Sequence, residues 1–147
     1  MRRSRNYATA VMIGCFGLTA CGPTTTQSTL TPHALSPGTA HVSVDGQSMP
    51  TERRVVCTEM QFWTTIDIGD TNSGLRAVIR NASGLTAESV SISNLGGFTG
   101  SYWNELDHGA TVTADGATFT IRGTATGFTA RNPSKRSTST FQVSASC

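Results

Sequence analysis

The sequence predicts an all-β fold: a single small antiparallel sandwich or partly open barrel of about eight strands, with one disulfide, behind a disordered tether. Three observations carry that expectation. From His41 to the last residue, apolar side chains recur at a period of two between hydroxyl residues. Asp-Gly pairs interrupt the alternation where hairpins need turns. Helical period is weak throughout, although Leu75 to Ile79 also reads as one turn.

Taken in order, Val42 and Val44 alternate with Ser43 and lead into Asp45-Gly46, a dipeptide suited to a two-residue hairpin loop. Strands are expected at about 54–60, 62–69 and 74–81. Val90 and Ile92 alternate with Ser89, Ser91 and Ser93, and a further strand is expected at 98–103. The clearest unit is Thr111 to Arg122, where Asp115-Gly116 reads as the loop, setting Ala114 opposite Ala117 and Val112 opposite Phe119 on one face. Phe141, Val143, Ala145 and Cys147 carry the alternation to the end of the chain.

The chain has 147 residues with 37% hydrophobic content, which suits one small domain and excludes a multidomain enzyme. Thr and Ser number 40 against 11 Lys+Arg and 9 Asp+Glu, so the surface is hydroxyl-rich and offers no basic stripe for nucleic acid. Three cations, Arg2, Arg3 and Arg5, precede a twelve-residue apolar run from Tyr7 to Leu18. That run is shorter than the roughly 20 residues a membrane span needs and has the form of an export signal. Its end, Leu18-Thr19-Ala20-Cys21, resembles the lipobox of bacterial prolipoproteins, which implies that Cys21 is acylated and becomes the mature N-terminus. Cys15, after Met12-Ile13-Gly14, is a partial second match, but cleavage there would leave a shorter apolar core. Ser4-Arg5-Asn6 after the arginine pair favours general export over the twin-arginine route.

Residues 22–40 hold three of the five prolines, a run of three threonines and no charge or aromatic ring. Such composition cannot bury enough surface to offset its ordering entropy and reads as a tether of roughly 25 Å. The organisation expected is therefore a lipoprotein signal peptide at 1–20, an acylated Thr/Ser/Pro-rich tether at 21–40, and a β-rich domain at 41–147. Loss of the signal leaves eight positive against nine negative residues. With Cys15 removed and Cys21 lipidated, Cys57 and Cys147 remain and should pair in an exported chain. Closing about 90 residues would contribute up to about 4.6 kcal/mol in the chain-entropy model.

Val55-Val56-Cys57-Thr58, Ile66-Asp67-Ile68-Gly69, Gly74 to Ile79, Ile121-Arg122 with Gly123-Thr124-Ala125-Thr126-Gly127, and Asn132-Pro133 resemble the LpqH family of mycobacterial lipoprotein antigens. The similarity runs from about His41 to Cys147, and the lipobox and Thr-rich tether match the family's layout. The resemblance implies a lipid-anchored protein on the extracytoplasmic face of the cell membrane, sensed through its lipid by host innate immune receptors, with a ligand-transport role for the domain as the alternative. Phe62-Trp63, Tyr102-Trp103, Arg76, Arg80 and Arg136 depart from what is typical of the family.

No Gly-x-Ser-x-Gly, His-Glu-x-x-His or phosphate-binding glycine loop occurs, and the three histidines, His33, His41 and His108, are scattered. Neither catalytic residues nor a metal or other cofactor is expected. Glu105, Asp107 and His108 read as a solvated hairpin loop. Asp67, Asp70 and Asn72 read as a turn, because Val78 stands where a calcium loop needs its last acidic ligand.

The aromatics remain. Phe62 and Trp63 point to opposite faces of one strand, so one of them is expected in the core. Phe98, Tyr102 and Trp103, beside Gly96-Gly97, either form a contact face or fill one end of the core. Three functions compete: a lipid-anchored antigen that acts by interaction, a carrier holding an apolar or lipid ligand in a lined cavity, and, last, a hydrolase with a scattered site.

Overall fold

The computed structural model describes residues 35–50, 52 and 54–147. The signal segment, Cys15, Cys21 and the tether through Ala34 lie outside the described residues. β1 (Ala40–Val44) turns into β2 (Gln47–Ser48) through Asp45 and Gly46, whose φ values of 49° and 77° are those the expected type I′ loop demands. Among the described residues, pairing begins slightly before the composition changes: Gly38 donates to the Ser146 carbonyl at 2.9 Å, and Thr39 accepts from the Ser146 N–H at 2.9 Å.

An antiparallel meander follows: β3 (Val55–Met60), β4 (Trp63–Gly69), β5 (Gly74–Arg80), β6 (Thr86–Leu95) and β7 (Phe98–Trp103). Leu75 to Ile79, readable as one helical turn, lies within β5. One helical turn, α1 (Asn104–Asp107), then leads to β8 (Thr111–Asp115), β9 (Thr118–Thr129) and β10 (Asn132–Ser146). Pairing runs β2-β1-β10-β9-β7-β6-β5-β4-β3, with β8 also on β9, in one ten-stranded sheet.

Besides β8, which branches off β9, the strand path has two ends, β2 and β3, and these are consecutive in the chain. Glu52 between them exchanges two backbone hydrogen bonds with Ala40, of 2.8 and 3.0 Å, and the Arg54 carbonyl accepts from Gly69 N–H at 3.0 Å. One segment thus crosses from the β1 edge to the β4 edge. The disulfide Cys57–Cys147, with Cα atoms 5.7 Å apart, joins β3 to the residue after β10. Of the two architectures expected, the partly open one is found.

Period two decides what is inside. Ala40, Val42 and Val44 from β1, Ile66 and Ile68 from β4, Leu75, Ala77 and Ile79 from β5, and Phe141, Val143 and Ala145 from β10 belong to one buried cluster. The Phe141 ring lies against Gly123, where an added Cβ would come 2.9 Å from its Cζ. Small residues in β9 therefore make room for rings from its neighbour.

The hairpin expected at Asp115-Gly116 is shifted. Its loop is Gly116-Ala117, with Asp115 opposite Thr118, Ala114 opposite Phe119 and Val112 opposite Ile121. Only Gly116 has a positive φ, 56°, as a loop with glycine first requires, so Asp115 stays in the strand. Strand β10 also begins well before Phe141, because Asn132 to Thr140 is polar and its pairing with β9 leaves no apolar alternation to read.

Candidate functional site

Of the three rings expected to form a contact face, two do not. Phe98 and Tyr102 are 2% and 1% exposed, whereas Trp103 is 51% exposed. The reason is parity: positions 98 and 102 of β7 face the core and 103 faces out. The Tyr102 ring packs against Phe141 with centroids 6.3 Å apart. Its hydroxyl donates to Asn104 Oδ1 at 3.2 Å and accepts from Ala110 N–H at 3.4 Å, which gives the buried polar tip its partners. Neither Phe62 nor Trp63 is core either, at 58% and 41% exposed. Phe62 sits in the turn between β3 and β4, and along β4 the inward positions fall to Thr64, Ile66 and Ile68.

What the fold brings together is Trp103 with Trp63. Both line an open groove of about 410 Å³ on the outer face, shared with Val78, Glu88, Ser89, Glu105 and Leu106. Ser89 of β6 is the direct partner of both Trp103 on β7 and Val78 on β5, which builds the floor. A β-bulge shapes one wall. Val78 pairs with Ser89 but Ile79 pairs with Ala87, so Glu88 is the extra residue, and it turns outward beside Ser89 between the buried Ala87 and Val90. There the carboxylate of Glu88 accepts from Arg80 Nε in an ion pair.

The other wall is α1. Asp107 Oδ2 accepts from the Trp103 backbone N–H at 3.1 Å, folding the helical turn back over the end of β7, while Tyr102 holds Asn104 from below. Of the residues expected in a hairpin loop, Glu105 and Asp107 are thus in a short helix and His108 follows its end, because Asn104 and Asp107 both find backbone or hydroxyl partners one turn apart. Leu106, at the crest, is 78% exposed. Trp103 Nε1–H donates to Ser101 Oγ at 3.2 Å, on the same face of β7, which fixes the indole.

A second depression, about 490 Å³, lies at the β4–β5 turn. Its charged lining residues Asp67 and Arg76 bond each other at 2.6 Å. Asp70 accepts from the N–H groups of Asn72 and Ser73 at 2.8 and 3.0 Å, and these bonds hold its carboxyl below the usual 3.8. This is the turn expected in place of a calcium loop.

An open antiparallel β-sheet, its two ends linked by one chain segment and one disulfide and with a groove on its outer face, defines a small disulfide-bonded all-β domain. Residues 33–147 match the profile of the Mycobacterium 19 kDa lipoprotein antigen family, and the chain belongs to that family. It is 38% identical over 148 residues to a lipoprotein of Mycobacterium avium subsp. hominissuis, covering 100% of this chain and 97% of the relative. It is 33% identical over 116 residues to lipoprotein LpqH of Mycobacterium tuberculosis, covering 76% of this chain and 73% of the relative. Lipoprotein LppE of the same organism is 28% identical over 137 residues, covering 92% and 91%. The resemblance read from the cysteine and glycine segments is therefore correct.

Proposed function

We propose that the chain is an envelope lipoprotein antigen anchored through acylated Cys21, whose β-domain acts by contact and not by catalysis. Family membership and the Leu18-Thr19-Ala20-Cys21 run support the anchor. The single observation that supports contact is the half-exposed Trp103, fixed by Ser101 and Asp107 at the rim of the groove. Innate immune receptors would sense the acylated end, and membrane attachment follows from the chains themselves, at about 0.8 kcal/mol per buried methylene. The carrier alternative is weaker because rings and small residues fill the inner space, as Phe141 does over Gly123.

Cys21→Ala is the test. The variant should leave the detergent phase on phase partition, carry no acyl mass, and lose stimulation of innate immune receptors. Retention in the detergent phase with acylation intact would show that the anchor lies elsewhere.

A further inference from the structure

The groove between Trp63 and Trp103 has a chemistry of its own. We propose that it is a binding site for an organic cation with an apolar body, of the alkylammonium or guanidinium class. Indole faces attract cations through their quadrupole, most strongly where water is partly displaced. Here the two indoles are 41% and 51% exposed at the rim of a groove whose volume, about 410 Å³, suits a small molecule.

Charge selects the ligand. Arg80, the cation beside the groove, is held by Glu88, and the other ion pair among the described residues is Arg76–Asp67. Glu105, which lines the groove, belongs to neither, so among the described residues it has no cation paired with it. Asp107, spent on the Trp103 N–H, adds a second negative charge on the same helical turn. An anion would meet repulsion there. A neutral apolar molecule would desolvate Glu105 and give it no partner. A neutral sugar would find chiefly Ser89 and Glu105 for its many hydroxyls, whereas a cation with an apolar body matches both the carboxylate and the indoles that line the groove.

Trp63 and Trp103 are the two tryptophans of the chain, so all of its indole emission comes from rings that line this groove. The full chain in a nonionic detergent is titrated with benzyltrimethylammonium, benzyl alcohol, phenylacetate and a cello-oligosaccharide. The expected result is a saturable emission change with the cation, at least tenfold tighter than with benzyl alcohol, and none with phenylacetate. Glu105→Gln should weaken the cation at least tenfold with its melting temperature unchanged, and Trp103→Leu should weaken it further. Equal affinity for benzyl alcohol, preference for the oligosaccharide, no saturable change, or full affinity in Glu105→Gln would each overturn the inference. The inference deepens the contact reading of Trp103. Failure of the cation titration with Cys21-dependent partition intact removes it alone and leaves the anchor standing.

Discussion

Gly100 on β7 and Gly127 on β9 are direct cross-strand partners, and neither has room for a side chain. A Cβ on Gly127 would overlap the Thr99 carbonyl oxygen and Gly100 Cα. A Cβ on Gly100 would lie 2.6 Å from both the Thr126 carbonyl oxygen and Cζ of Phe98. Backbone alone fills the space at Gly127, and backbone together with the buried Phe98 ring fills it at Gly100. The two strands meet this closely where β6–β7 joins β9–β10, the β7–β9 ladder being the four pairs from Phe98–Thr129 to Ser101–Thr126.

Gly127→Ala should therefore destabilise the domain by at least about 1–3 kcal/mol, the usual cost of overpacking. Ala at Gly84, where a Cβ meets nothing within 4 Å, separates steric overlap from backbone effects, since its φ of 116° strains any side chain. Denaturant melts of both variants decide: an unchanged midpoint for Gly127→Ala would mean that β7 and β9 are not apposed as described.

Reduction of Cys57–Cys147 frees the last residue of the chain from β3. Beyond the bond, Cys147 keeps one backbone hydrogen bond, to the Ala117 carbonyl at 2.9 Å. Cys147→Ser should cost about 2–5 kcal/mol, read as a lower melting temperature, and reducing agent should then have no further effect. Most chains tolerate trimming of one terminal residue; this one should not.

Adjacent aromatics on β7 should behave oppositely. Tyr102→Ala removes a buried ring and the hydroxyl that holds Asn104 and Ala110, and should cost about 3–5 kcal/mol. Trp103→Ala should cost under about 1.5 kcal/mol, since half the ring already faces water. Equal losses in thermal melts of the two variants would place Trp103 in the core.

Asp70 supplies a pH signature. Its folded pKa lies below the ordinary 3.8 because the Ser73 and Asn72 N–H groups bond the carboxylate. The stabilising effect is therefore present above the unfolded value and is lost as pH falls through the lower folded value. Carbon-detected NMR of the carboxyl should show a depressed midpoint, with Ser73 and Asn72 amide shifts following it. In Asp70→Asn those acid-dependent amide shifts should disappear.

Much of the fold is written locally. Alternation placed Val42, Val44, Ile66, Ile68 and Phe141 inside because a pleated strand has only two faces, and Asp45-Gly46 fixed its hairpin because both residues accept a positive φ. Membership of the lipoprotein antigen family was legible in short segments whose glycines, Gly123 and Gly127, have the close approaches just described. Tertiary structure decided the rest. Parity along β7 is a single-residue matter, so Phe98, Tyr102 and Trp103 could not be divided into core and surface until the strand was placed against the sheet. The register of the Asp115 hairpin moved because one glycine sufficed for its loop. Trp63 and Trp103 lie 40 residues apart, and nothing local links them. Only the order β7-β6-β5-β4, with the Glu88 bulge between, brings both indoles and Glu105 to one groove, since lateral neighbours in a sheet are set by long-range pairing.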